Sequence, residues 1–143
     1  MFQISNVTKK DFLKILNLLK KCNLDFQRNI SDLEKAQKIS DIFLVCKNKR
    51  KNIIGTVRAI FDGYYCMLFD LAVEPEFRNQ GIGELLMREA EKRLKKQGAK
   101  YVFLNSSDKA VKFYKKIGYT KPKTNPMIKN FKKEKNLERK IRY

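Results

Sequence analysis

The chain has 143 residues, 43% of them hydrophobic, and its 33 Lys+Arg against 15 Asp+Glu give a formal net charge of +18; it contains no histidine. That size fits one ordinary domain with its own core, and no run approaches the roughly 18 apolar residues of a membrane span. Without histidine, a Ser-His-Asp triad, a Cys-His dyad and a His-ligated metal are all excluded, so any general base must be a carboxylate, a tyrosine, a cysteine, a lysine or a relayed water.

Phe2-Gln3-Ile4 predicts a short first strand. Thr8 then caps a helix whose Phe12, Ile15, Leu16 and Leu19 share one face, with Asp11 completing a capping box. A second helix is expected from Ser31, with Glu34 reaching back in the same way. Ile42 to Cys46 and Ile53 to Phe61 predict a hairpin joined by the basic tip 47–52, and Asp62-Gly63 is a two-residue turn signal before a strand from Tyr64 to Val73. A glycine-interrupted turn follows, then a helix on which Ile82, Leu85, Leu86, Ala90 and Leu94 recur until Gly98 stops it. Tyr101 to Asn105 reads as a buried strand, Asp108 to Lys116 as a short helix, and Met127 to Phe131 as a last strand. The order is β-α-α-β-β-β-α-β-α-β: an α/β (α+β) chain with a single domain over 1–131 and a basic tail over 132–143.

The positive charge is peripheral. Residues 62–91 hold seven acids and two arginines, net −5, and no lysine falls between Lys51 and Lys92. The lysines gather instead in the hairpin tip, on the helix carrying Lys109, Lys112, Lys115 and Lys116, and from Lys121 onward. Solvation is the simpler reading of such a distribution, and nucleic-acid binding the less favoured one. Cys22, Cys46 and Cys66 are odd in number and far apart, so they suggest neither a disulfide framework nor a metal site. Met1-Phe2-Gln3-Ile4 lacks the basic and apolar regions of a signal peptide, and a cytoplasmic location without membrane partners is expected.

The stretch Val73-Glu74-Pro75-Glu76-Phe77-Arg78-Asn79-Gln80-Gly81-Ile82-Gly83 runs from a strand into the N-terminus of a helix. Unpaired N–H groups and the positive end of the helix dipole converge at such a turn, glycines let an anion approach, and Arg78 adds a cation. A Walker loop would need Lys-Ser/Thr where Glu84-Leu85 stands, and a dinucleotide fingerprint needs three glycines where Gly81-Ile82-Gly83 supplies two. Arg78-Asn79-Gln80-Gly81-Ile82-Gly83 instead resembles the R/Q-x-x-G-x-G/A signature of the GNAT superfamily of acyl-CoA N-acyltransferases. A second segment, Ala110-Val111-Lys112-Phe113-Tyr114-Lys115-Lys116-Ile117-Gly118-Tyr119, is similar to that family's A-x-x-F-Y-x-x-x-G-F/Y element. The resemblance is close over about residues 53–121 and elsewhere extends only to the pattern of elements.

The resemblance implies a mixed, mostly antiparallel GNAT-like sheet flanked by helices and an acetyl-CoA-dependent N-acetyltransferase working by direct transfer in a ternary complex. It implies that backbone amides from Arg78 through Asn79, Gln80, Gly81, Ile82 and Gly83 to Glu84 hold the pyrophosphate of coenzyme A. The pantetheine arm would lie along Leu71, Ala72 and Val73 as an added strand, with one N–H there acting as oxyanion donor. Asn105 and Ser107 would, by the same resemblance, border the arm. The family's usual asparagine three residues before the alanine is replaced here by Ser107, which can bond the arm or cap the following helix.

Tyr114 shares a helical face with Ala110, Phe113 and Ile117, which alone reads as a core aromatic; the resemblance implies that it protonates the departing thiolate. Asp70 and Glu74 are the carboxylates nearest the expected reacting centre, each with a structural role as its simpler reading and water as the other candidate base. The resemblance implies that residues 22–45, net −1, form the wall for the amine acceptor, a small molecule or a peptide amine. Cys66 reads as strand packing, not as a nucleophile. A noncatalytic acyl-CoA-binding or regulatory module is the alternative, a nucleic-acid-binding protein on the same fold the third reading, and a homodimer is left open.

Overall fold

In the computed structural model, which describes residues 1–133, the first helix starts where Thr8 and Asp11 predict it. The Asp11 carboxylate accepts from the Thr8 backbone N–H at 2.9 Å and from its hydroxyl at 3.2 Å. A single 3₁₀ turn, Lys9–Asp11, leads into α1, Phe12–Lys21. The next helix, α2, covers Ile30–Ile39 and is capped by Asn29, not Ser31: Asn29 Oδ1 accepts from the Asp32 N–H, and Asp32 returns the bond to the Asn29 N–H. Asn29-x-x-Asp32 has the same reciprocal geometry as the expected Ser31-x-x-Glu34 box and meets the chain two residues earlier.

Two compact units divide the chain, Met1–Ser107 and Asp108–Tyr143. The first holds a five-stranded sheet in sequence order: β1 Gln3–Asn6, β2 Ile42–Lys47, β3 Ile53–Phe61, β4 Tyr65–Val73 and β5 Tyr101–Phe103. Pairs β1 to β4 are antiparallel, and β4–β5 is parallel. A parallel neighbour needs a crossover, supplied by α3, Ile82–Lys96.

One face of the sheet carries α1 and α2, where Phe12, Ile15, Leu16, Leu19, Leu33 and Ala36 pack with Phe43, Val45 and Ala72. The helix α3 packs against β2, β3 and β4, burying Ile82, Leu86, Met87, Ala90 and Leu94, while Leu85 stays exposed. Its seat is Gly55 on β3, where a Cβ would lie 2.8 Å from Leu86 Cδ1 and 3.1 Å from Ile82 Cγ2. The missing side chain lets the first turns of α3 press onto the sheet.

Strand β5 is not buried: Tyr101 is 54% and Phe103 41% exposed. Among the described residues it is the sheet's edge, and its rings stack sideways on Tyr64 and Tyr65. In the second unit, a 3₁₀ turn Asp108–Ala110 precedes α4, Val111–Lys116. The expected last strand at Met127 to Phe131 is absent among the described residues; that segment has no regular structure until a 3₁₀ turn at Phe131–Lys133. Pro126 lacks a donor, and Met127 and Ile128 are both more than 90% exposed. The sequence tail 132–143 lies mostly outside the described residues. Among those residues no helix is long and apolar enough to cross a membrane.

Candidate active site

Strand β4 changes character along its length. Its pairing with β5 covers only Tyr65, Cys66 and Met67, so among the described residues the stretch toward Val73 has β3 on one side and no strand on the other. Its register with β3 slips between Thr56 and Arg58, which sets Asp70 and Leu71 together against Val57. Asp70 sits at this bulge with φ +59°, a left-handed conformation that aspartate tolerates better than most residues. The bulge twists the strand just before Leu71-Ala72-Val73. Since backbone groups alternate sides along a strand, this stretch presents donors and acceptors on its open edge.

The chain leaves β4 through a 3₁₀ turn, Pro75–Phe77, then Arg78, and reaches α3 by two left-handed residues, Asn79 at φ +63° and Gly81 at φ +81°. The Leu85 N–H bonds back to Gly81 O at 3.0 Å. Among the described residues the N–H groups of Asn79, Gln80, Gly81, Ile82 and Gly83 have no acceptor. Ile82 is buried against Gly55, so this fan of donors is anchored to the core. A concavity of about 340 Å³ opens at this helix end, lined by Gln80, Gly81, Glu84, Leu85 and Arg88. A carboxylate there would oppose an anion, but Arg88 engages Glu84 at 2.7 Å. Arg88 was not singled out from sequence, although its i,i+4 spacing from Glu84 was the available signal.

Arg78 folds back onto the strand: its Nε donates to Val73 O at 3.3 Å and its Nη2 reaches Cys22 Sγ at 3.5 Å. Cys22 ends α1 and directs its own thiol at Val73 O, 3.6 Å away. Glu74 is engaged by Lys21 Nζ at 2.8 Å. Asp70 is held more tightly still. Arg28 donates from Nη1 to Oδ2 at 2.8 Å and from Nη2 to Oδ1 at 2.9 Å, and Arg58 Nε adds a contact to Oδ2 at 3.2 Å. The Asp70 side chain is only 8% exposed. Both candidate carboxylates are therefore ion-paired.

Asn105 and Ser107 follow the end of β5 and are exposed, with Ser107 O accepting from the Ser106 hydroxyl at 2.8 Å. Cys66 is buried on β4, and burial together with Asp41 and Asp62 pushes its thiol up to about 11, which keeps it protonated and unreactive. In the second unit, Tyr114 sits on α4 with edge-on contacts to Phe113 and Tyr119, and burial raises its phenol above the ordinary value, so it carries its proton at neutral pH. Gly118, at φ +105°, closes that helix, and Tyr119 N–H bonds back to Tyr114 O at 2.9 Å.

The family model for a GNAT acetyltransferase domain matches residues 39–121. Among solved structures, the chain is similar to an acetyltransferase of Trypanosoma brucei at 17% identity and a TM-score of 0.78, covering 91% of this chain and 100% of that one. It is also similar to glucosamine-6-phosphate N-acetyltransferase of Arabidopsis thaliana, at 19% identity and a TM-score of 0.77 with 92% and 99% coverage. A transcriptional regulator of Bacillus halodurans is similar at 20% identity, with a TM-score of 0.80 and 92% and 100% coverage. At these identities the likeness is one of fold, and a fold hosts more than one function.

Proposed function

As the chain belongs to the GNAT acetyltransferase family, we propose that it moves an acetyl group from acetyl-CoA to a primary amine, of a small molecule or a peptide, by direct transfer in a ternary complex. The observation that carries this reading is the fan of unbonded N–H groups from Asn79 to Gly83 beside a β4 edge that β5 leaves open after Met67. N–H donors at a helix N-terminus suit a pyrophosphate, and an open strand edge suits an extended amide chain. The two adjoin because Gly55 lets α3 begin directly over the sheet.

Acetyl-CoA supplies an activated acyl carbon whose bond to sulfur is exchanged for a bond to nitrogen. The amides from Asn79 to Gly83 bind the pyrophosphate, with Arg78 adding positive charge and Arg88 neutralising Glu84. Leu71, Ala72 and Val73 align the pantetheine arm, and one of their N–H groups donates to the thioester oxygen. Asn105 and Ser107 hydrogen-bond the arm. Tyr114 gives its phenolic proton to the departing sulfur. The proton of the amine leaves through water, because the Asp70 oxygens are occupied by Arg28 and Arg58 and Glu74 is occupied by Lys21. The enzyme's main contribution is positioning.

Calorimetric titration with acetyl-CoA and with S-acetylpantetheine, which lacks the pyrophosphate, tests the reading. The truncated thioester should bind at least about tenfold more weakly, roughly 1.4 kcal/mol. Equal affinities would remove the anion site from the account. Tight binding without acyl transfer to any amine would instead support the noncatalytic acyl-CoA-binding alternative.

A further inference from the structure

The connection between α1 and α2, residues 23–29, is an unusual piece of chain. Asn23, Phe26 and Gln27 all have positive φ, at 56°, 50° and 63°, and none of them is glycine. Left-handed backbone at non-glycine residues persists only where the surroundings hold it. Asn23 ends α1 in a left-handed cap, with Leu24 N–H bonding to Leu19 O at 2.8 Å, and Asp25 Oδ2 accepts from Gln27 N–H at 3.4 Å; the side chain that ties the loop to the sheet is Arg28. Arg28 Nη2 donates to Leu24 O at 2.6 Å and Nε to Asp25 O at 3.0 Å, both within the loop, while Nη1 and Nη2 together grip the two oxygens of Asp70. Asp70 is itself left-handed, at the β4 bulge, immediately before Leu71.

The second guanidinium stiffens the same point. Arg58, from β3, reaches Asp70 by Nε and Ser40 Oγ by Nη1, and its guanidinium lies 4.7 Å from the centroid of the Phe69 ring. A carboxylate that accepts three charge-assisted bonds and is almost sealed from solvent is a fixed post. To take a proton from an amine, it would have to do so in competition with charge-assisted bonds from Arg28 on both oxygens and from Arg58 on Oδ2.

We propose that Arg28 and Asp70 form a clamp that fixes loop 23–29 on β4 beside the reacting centre, so that the loop positions the acceptor amine and Asp70 is a positioning residue, not the proton acceptor. The proposal rests on the acetyltransferase reading of this same site. It separates two roles a carboxylate at this position can have. A base acts on the reacting atoms, and its loss lowers kcat. A clamp acts through the loop, and its loss is felt where the acceptor binds.

The test uses the full chain as Asp70→Asn, which keeps size but breaks the paired acceptance, and as Arg28→Lys, which keeps charge but cannot donate in a fork. In both variants the acceptor KM should rise about tenfold or more while kcat stays within about threefold. The kcat–pH profile should keep its shape, and backbone hydrogen exchange in loop 23–29 should accelerate. A fall in kcat of about 10² to 10⁴ confined to Asp70→Asn, with Arg28→Lys behaving like the parent and exchange unchanged, would overturn the clamp and make Asp70 the base. If the parent protein acetylates no amine, the acetyltransferase reading falls. The exchange rates then decide the clamp alone: faster exchange in both variants supports it, and parental exchange overturns it.

Discussion

Cys22 Sγ lies 3.6 Å from the carbonyl oxygen of Val73, joining the end of α1 to the strand proposed to carry the pantetheine arm. The same sulfur is 3.5 Å from Arg78 Nη2, so one partly exposed thiol borders both the strand and the anion turn. Cys46 and Cys66 are buried, and burial raises both thiols above the ordinary range. Iodoacetamide at pH 8 should therefore modify Cys22 first, and acetyl-CoA should slow that reaction. Mass mapping of the alkylated peptides checks it. Unchanged Cys22 labelling at saturating acetyl-CoA would move the cofactor away from this corner.

Gly81 lends itself to a controlled comparison with Gly98. Both are left-handed, at φ +81° and +96°, and neither has an atom within 4 Å of a would-be Cβ, so a side chain at either meets strain and no clash. Each valine variant should lose about 1–3 kcal/mol of stability. Only Gly81→Val, at the first turn of α3, should abolish acetyl-CoA binding; Gly98→Val, beyond the helix's other end, should bind like the parent. Calorimetry on folded proteins decides this, and equal affinities would refute the site.

Asp11 links pH to stability through the cap of α1. Burial works to raise its pKa, but the backbone bond from Thr8 and the ammonium of Lys47, 3.2 Å away, outweigh it and hold the carboxyl below its ordinary value. A depressed folded-state pKa means that this contribution is present above the unfolded value and is lost as pH falls through the folded one. Asp11→Asn should lower the melting temperature at pH 7. The gap to the parent should narrow below about pH 4, the ordinary carboxylate range. A constant gap down to pH 2 would contradict this.

Tyr114→Phe keeps the ring contacts to Phe113 and Tyr119, and melting should barely change. Turnover should fall by about 10² to 10⁴, the usual cost of losing a general acid. Acetyl-CoA affinity should stay within a few-fold. Parental turnover in steady-state kinetics with the best amine would return Tyr114 to the role of a packing aromatic.

Local signals were legible where two or three neighbouring residues decide the outcome. Thr8 and Asp11 start a helix by side-chain reach alone, and Gly81 marks a left-handed step into α3 that only its neighbours need to explain. The second cap was misplaced because Asn29-x-x-Asp32 and Ser31-x-x-Glu34 both fit the local rule, and only the helix that Asn29 opens includes Ile30, which packs against the core as its first residue. Tyr101 to Phe103 looked buried because its residues are apolar, and its place at a sheet edge depends on the other strands. The ion pair of Arg28 with Asp70 spans 42 residues, so no spacing rule could reveal that an apparent base is occupied. The net −1 counted over residues 22–45 likewise missed Asp70 and Arg58 from neighbouring strands.

The most direct measurement is a coupled mass balance: free-thiol release from acetyl-CoA across a panel of polyamines, amino sugars, amino acids and peptide N-termini, with the acetylated product weighed in the same samples. Acetyl transfer to nitrogen requires at least one amine for which thiol release depends on the amine and matches acetyl-amine formed one to one, and for which Tyr114→Phe slows both together. Thiol release that is independent of every amine, or no release despite calorimetric binding of acetyl-CoA, would contradict acetyl transfer to nitrogen as the function of this chain.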